Sequence, residues 1–182
     1  PADAGPESKL PVIFYIHGGG FSGGCGHEKH FDGPEWPTKG CVAVTINYRL
    51  GPLGFVCLDA LQQEAGHTGN YALFDQLTAA KAVMSSGGGV SKMLTAKPAA
   101  EQYGFWNAVM EKADCADLDA FRKLPAAELF TAWQAAKKEC KNSMSANGPV
   151  QDGVFICKPA TEVIAAGEQR HIPYLIGMTS QD

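Results

Sequence analysis

The sequence has 182 residues, 45% of them apolar and 19% charged, with a formal net charge of −4. That length supports one domain with its own core, and the composition is ordinary for a globular chain. The acidic balance leaves no electrostatic footprint for nucleic acid, and no run approaches the roughly 18 apolar residues of a membrane span, so neither partner is expected.

In chain order, residues 1–10 are polar and Pro/Gly-punctuated and read as a linker. The opening PADAGPESKLPV lacks the basic-then-apolar order of a signal peptide. Val12 to Ile16 is a short apolar run between Pro11 and a glycine cluster, which predicts a strand buried on both faces of a parallel sheet. Residues 21–40 read as a long loop. CVAVTINYR predicts a second, β-branched strand, broken by Gly51, Pro52 and Gly54. In GNYALFDQLTAAKAV the period changes: Leu73, Leu77, Ala80 and Val83 have helical spacing, with Asn70 as the N-cap. A glycine-rich stretch and a second apolar-periodic segment, Val90 to Leu94, follow. Residues 114–139 predict a helical pair, with Asp117 capping the first helix and Pro125 in the first turn of the second. Leu129, Phe130, Trp133 and Ala136 are its expected apolar stripe. Tyr174 to Ile176 reads as a final short strand. Strands mixed with helices imply an α/β fold, in which chemistry gathers at the carboxyl ends of the strands.

The six cysteines, at 25, 41, 57, 115, 140 and 157, form no C-x-x-C pair, which argues against a zinc ribbon or thioredoxin motif. Cys41, Cys57 and Cys157 lie in apolar, strand-like settings where free cysteine serves as a small hydrophobe, so reduced thiols and a cytoplasmic setting are expected. Cys25, His27 and His30 spell C-x-H-x-x-H but lack a firm fourth ligand; the expectation is a solvated loop and no metal.

HGGGFSGG sets several glycines directly after a strand. Glycine admits positive φ and lets ligand atoms approach backbone N–H groups, which can hold a developing oxyanion in acyl transfer. LPVIFYIHGGGFSGG, VAVTINYRLGPLGF and GNYALFDQLTA occur in that order. Together they resemble the type B carboxylesterase family, which includes para-nitrobenzyl-type bacterial esterases and the cholinesterases. The resemblance covers roughly residues 9–83, and NYRLGPLGF is its specific part, separating it from HGGG esterases that resemble hormone-sensitive lipase.

Beyond residue 83 the likeness is patchy. The family's Gly-x-Ser-x-Gly is fed by a strand, whereas here Met84 meets Ser85 directly, with neither a strand nor the first glycine expected before it. Ser85, Gly87, Leu94 and Pro98 nevertheless keep the family's downstream offsets, and Ser86 does so less well. A second break follows Glu101. The expectation is a single partial α/β-hydrolase domain over 1–182, a mostly parallel central sheet flanked by helices, lacking family segments near 84/85 and 102/103 and beyond both termini.

The resemblance implies a carboxylesterase that works through a serine acyl-enzyme on a small-molecule ester, with no metal or organic cofactor. It implies Ser85 as nucleophile, Asp182 of PYLIGMTSQD as the triad acid, and the backbone N–H groups of Gly19, Gly20 and Ser86 as the oxyanion hole. The family order is Ser, acid, His, and all five histidines precede Asp182, so none of them is the expected base. His17 is expected to shape the oxyanion loop, His67 and His171 to lie on the surface, and Asp75 and Gln76 to serve the structure. The alternative is an inactive, esterase-like binding or adhesion module. Oligomeric state is left open.

Overall fold

Val12–Ile16 forms strand β1 and Val42–Ile46 forms strand β2, paired in parallel from Val12 opposite Val42 to Ile16 opposite Ile46. The structure, a computed structural model, describes residues 1–29, 33, 35–77, 83–85, 96–140, 148–169 and 175–177, the three-residue pieces 83–85 and 175–177 by backbone alone. The parallel pairing is as expected. Burial on both faces is not found: β1 is exposed at both ends and half-buried between, because β2 is its only strand partner among the described residues.

Helix α1 (Glu35–Thr38) precedes β2; α2 (Gly51–Phe55), α3 (Asp59–Ala65) and α4 (Tyr71–Gln76) follow it. Two further strand pairs are also parallel: β3 (Val83–Ser85) with β6 (Leu175–Gly177), and β4 (Lys97–Pro98) with β5 (Val150–Gln151). Between β4 and β5 lie α5 (Ala100–Lys112), α6 (Leu118–Lys123) and α7 (Ala126–Glu139), and α8 (Ala160–Ala165) follows β5.

Two expectations change here. The helix reading up to Val83 fails: α4 closes at Gln76, and Val83–Ser85 is extended because it pairs with β6. The final strand is Leu175–Gly177, one residue later than predicted at its end. Residues 90–94 and 174 lie outside the described residues.

The core gathers where α5 packs on α7. Trp106, Val109, Leu129, Ala132, Trp133 and Ala136 interdigitate there, and Cys57, Leu58 and Val150 join them from the other side. Asp117 caps α6 as expected, accepting a hydrogen bond from Ala120 N–H at 2.8 Å. Pro125 stands just before α7, at the N-cap. Phe130 leaves the predicted stripe: it is 45% exposed, at the edge of the buried face, with its ring 5.3 Å from that of Trp133.

Asn70 does not cap α4 with its side chain. It is wholly buried and pairs with the Val150 backbone, donating from Nδ2 to the carbonyl at 2.7 Å and accepting from the N–H at 2.9 Å. One amide thus stands in for a strand partner and pins the start of α4 to β5. Asn70→Ala would leave a buried N–H and C=O without partners. The expected loss is about 2–5 kcal/mol in stability, read as a lower urea midpoint with unchanged slope.

All six cysteines are free thiols. Cys57 is buried as expected, and burial pushes its pKa up to about 12, so it packs as an inert hydrophobe. Cys157 is exposed and Cys41 half-buried, because strands β2 and β5 stop short of both and leave them in irregular segments.

Candidate active site

The carboxyl end of β1 delivers His17 and the glycine turn. Gly18, Gly19 and Gly20 are exposed while His17, beside them, is buried. Gly19 has φ of 117° and Gly20 of 59°, and Phe21 follows with 60°. A Cβ at Gly19 would lie 2.2 Å from the Gly23 carbonyl oxygen, so this position accepts glycine alone.

The direction of each N–H in this turn follows from where the preceding carbonyl is held. A trans peptide is planar, so its C=O and N–H point oppositely. The Gly18 carbonyl is held by His17 Nδ1 at 2.9 Å, which turns Gly19 N–H away from the ring. The Gly19 carbonyl accepts from Ser22 N–H at 3.1 Å and Gly23 N–H at 3.2 Å, which turns Gly20 N–H outward in the same way. Because a carbonyl only accepts, Nδ1 carries the imidazole proton. His17 Nε2 is buried and meets no hydrogen-bond partner among the described residues. The ring thus packs into the turn with Nδ1 engaged and Nε2 buried.

The turn is braced by residues that follow β2. The Tyr48 hydroxyl donates to the His17 carbonyl at 2.8 Å. Gly51 N–H donates to the Phe21 carbonyl at 2.7 Å, and Phe21 meets Phe55 edge-on at 5.0 Å. Asn47 Oδ1 accepts from Gly26 N–H at 2.9 Å. NYRLGPLGF is therefore the scaffold of HGGGFSGG. Sequence reading missed Tyr48 and Asn47 as contributors; their signal was the motif itself, placed at the exit of a strand parallel to β1.

Arg49 of the same motif holds Asp75 from Nε at 2.9 Å and through the second guanidinium nitrogen at 2.8 Å, while its N–H adds a third bond at 3.0 Å. The Arg49 side-chain hydrogen bonds hold the Asp75 carboxyl below the usual range. Asp75 thus ties α4 to the exit of β2, the structural role expected of it.

Ser85 closes β3 at its carboxyl end, opposite Gly177 in the register with β6. A strand therefore leads into Ser85, contrary to the sequence reading; three residues paired at long range are too few for periodicity to reveal. Asp182 follows β6 in sequence by five residues and lies outside the described residues, as do Ser86, His30 and His171. Because β3 and β6 are parallel, Ser85 and Gly177 stand at the same end of neighbouring strands. The glycine turn belongs to a different strand pair, β1–β2.

Cys25 and His27 belong to no cluster of three or more metal-binding side chains among the described residues. His67 lies half-buried beside Tyr71 and Phe74, a packing role in place of the surface one expected. No helix among the described residues is long and apolar enough to cross a membrane.

Residues 1–83 match the model of the carboxylesterase family. Over 208 aligned residues the chain is 31% identical to the fumonisin B1 esterase of Sphingopyxis macrogoltabida, covering 92% of this chain and 38% of that protein. It is 42% identical to the para-nitrobenzyl esterase of Bacillus subtilis over 77 residues, 42% of this chain and 15% of that one. Among solved structures, a carboxylesterase of Geobacillus stearothermophilus superposes with a TM-score of 0.77 at 26% identity, covering 95% of this chain and 44% of that chain. The chain thus spans less than half the length of these proteins.

Proposed function

The chain belongs to the carboxylesterase family and has an α/β-hydrolase fold, and from that premise we propose that the whole protein hydrolyses small-molecule carboxylic esters through an acyl-enzyme on Ser85. The observation that carries this reading is the position of Ser85 at the carboxyl end of β3, in register with the strand that leads towards Asp182. Such strand ends are where α/β folds hold their reacting groups.

In the proposed cycle Ser85 Oγ attacks the ester carbonyl as its proton passes to a histidine base. That base would follow Asp182 in chain order, so it is none of the five histidines of this sequence. Asp182 orients that imidazole and stabilises its protonated form. The tetrahedral oxyanion is held by N–H groups of Gly19, Gly20 and Ser86, and its collapse expels the alcohol, which takes the proton from the imidazolium. Water, activated by the same base, then releases the acid.

We further propose that family segments are absent near 84/85 and 102/103. The alignment to the fumonisin esterase supports this, since its 208 positions exceed the length of the chain.

A fluorophosphonate probe tests the reading. Incubated with the whole protein and mapped by peptide mass spectrometry, it is expected to modify Ser85. Modification of Ser86 in its place would move the nucleophile. A folded protein left unlabelled would favour an esterase-like binding module.

A further inference from the structure

We propose that Tyr48 is a positioning residue for the glycine turn, acting through His17; its catalytic consequence rests on the oxyanion reading above. Two contacts from one side chain converge on His17. The Tyr48 hydroxyl donates to the His17 carbonyl at 2.8 Å, and the two rings stack with centroids 4.5 Å apart and planes at 20°. His17 is 2% exposed and the bond is partly buried, so water competes with it less than at an open surface.

The consequence is again that of the planar peptide. Holding the His17 carbonyl fixes the plane that ends in Gly18 N–H, and holding the ring fixes Nδ1, which in turn holds the Gly18 carbonyl and hence Gly19 N–H. Two successive planes of the turn are therefore set from a residue 31 positions away. A Cβ at Gly24 would lie 2.6 Å from Nδ1, so the Gly24 backbone also comes close to the imidazole. Burial, and then the neighbouring Tyr15, push the Tyr48 phenol above its ordinary range, so it remains a donor wherever esters are assayed.

Glycines carry no side chain to anchor themselves, and a donor displaced by about 1 Å loses much of its effect on a transition state. The hydroxyl of Tyr48 supplies the anchor from outside the turn.

The test is Tyr48→Phe in the whole protein, which keeps the ring and removes the hydroxyl. Amide hydrogen exchange at Ser22 and Gly23, whose N–H groups donate to the Gly19 carbonyl and close the turn, is expected to rise about tenfold while amides of α5 and α7 stay as they were. In ester turnover kcat is expected to fall about tenfold with KM within about twofold. Incorporation of 3-fluorotyrosine at position 48, which keeps the hydroxyl, is expected to restore both. Unchanged exchange at Ser22 and Gly23 overturns the proposal, whatever the activity. Faster exchange with unchanged kcat leaves the anchor standing and overturns the oxyanion role of the turn. Should the unsubstituted protein turn over no ester, the acyl-enzyme reading fails, and exchange alone decides the anchor.

Discussion

Ser85→Ala is expected to lower ester turnover by about 10⁴-fold or more, the scale of losing a serine nucleophile. Ser86→Ala is expected to stay within about tenfold of the unsubstituted protein, because the role proposed for Ser86 is that of a backbone N–H, which alanine retains. The contrast matters because both serines begin a Ser-x-Gly, and what favours Ser85 is its downstream offsets and its place in β3. Ser85 is the last residue of β3 and sits opposite Gly177. Steady-state hydrolysis of a para-nitrophenyl ester by the purified whole protein and both variants, with circular dichroism to verify folding, is the measurement. A Ser85→Ala protein that keeps a tenth of the activity would sink the assignment, and so would equal losses in the two variants.

Much of the first half was legible because its signals are local. β1 and β2 are β-branched apolar runs bounded by proline and glycine, and the structure pairs them in parallel over their whole length. The glycine turn is legible for the same reason: three glycines after a strand have few uses besides positive φ and close approach. Asp117 and Pro125 mark their helices because caps act within one turn of chain.

What was missed depends on partners distant in sequence. Val83 continues the helical spacing of Leu73, Leu77 and Ala80, yet it is extended because Leu175 lies opposite it. Asn70 has the chemistry of a cap and the position of one, but two backbone groups of Val150, 80 residues on, claim its amide. Tyr48 looks like one more aromatic residue of a strand exit until the His17 carbonyl is seen against its hydroxyl. Phe130 shows the reverse: an apolar residue next to a stripe in sequence reads as part of it, yet it is 45% exposed, since a helix turns by about 100° per residue.

Gly19→Ala is the second large effect expected, a fall in kcat of about 10²–10³-fold with KM changed little, the scale of losing an oxyanion donor. The added Cβ would meet Gly23 backbone oxygen at 2.2 Å and carbon at 2.7 Å, atoms that cannot swing aside as a long side chain can. The φ of 117° is itself unfavourable for an L-residue. Relief requires rotation about Gly19, and that rotation breaks the bonds its carbonyl accepts from Ser22 and Gly23 N–H. Those bonds aim Gly20 N–H, so one methyl group disturbs both donors proposed for the turn. The turn is exposed and separate from the core between α5 and α7, so global stability is expected to fall by only about 1 kcal/mol. Gly23→Ala is the control: a Cβ there meets nothing within 4 Å and φ is ordinary, so activity is expected within about threefold. Kinetics of both variants beside their urea midpoints decide the matter. If Gly19→Ala keeps its kcat, or loses it only in proportion to stability, the turn is a structural loop and holds no oxyanion.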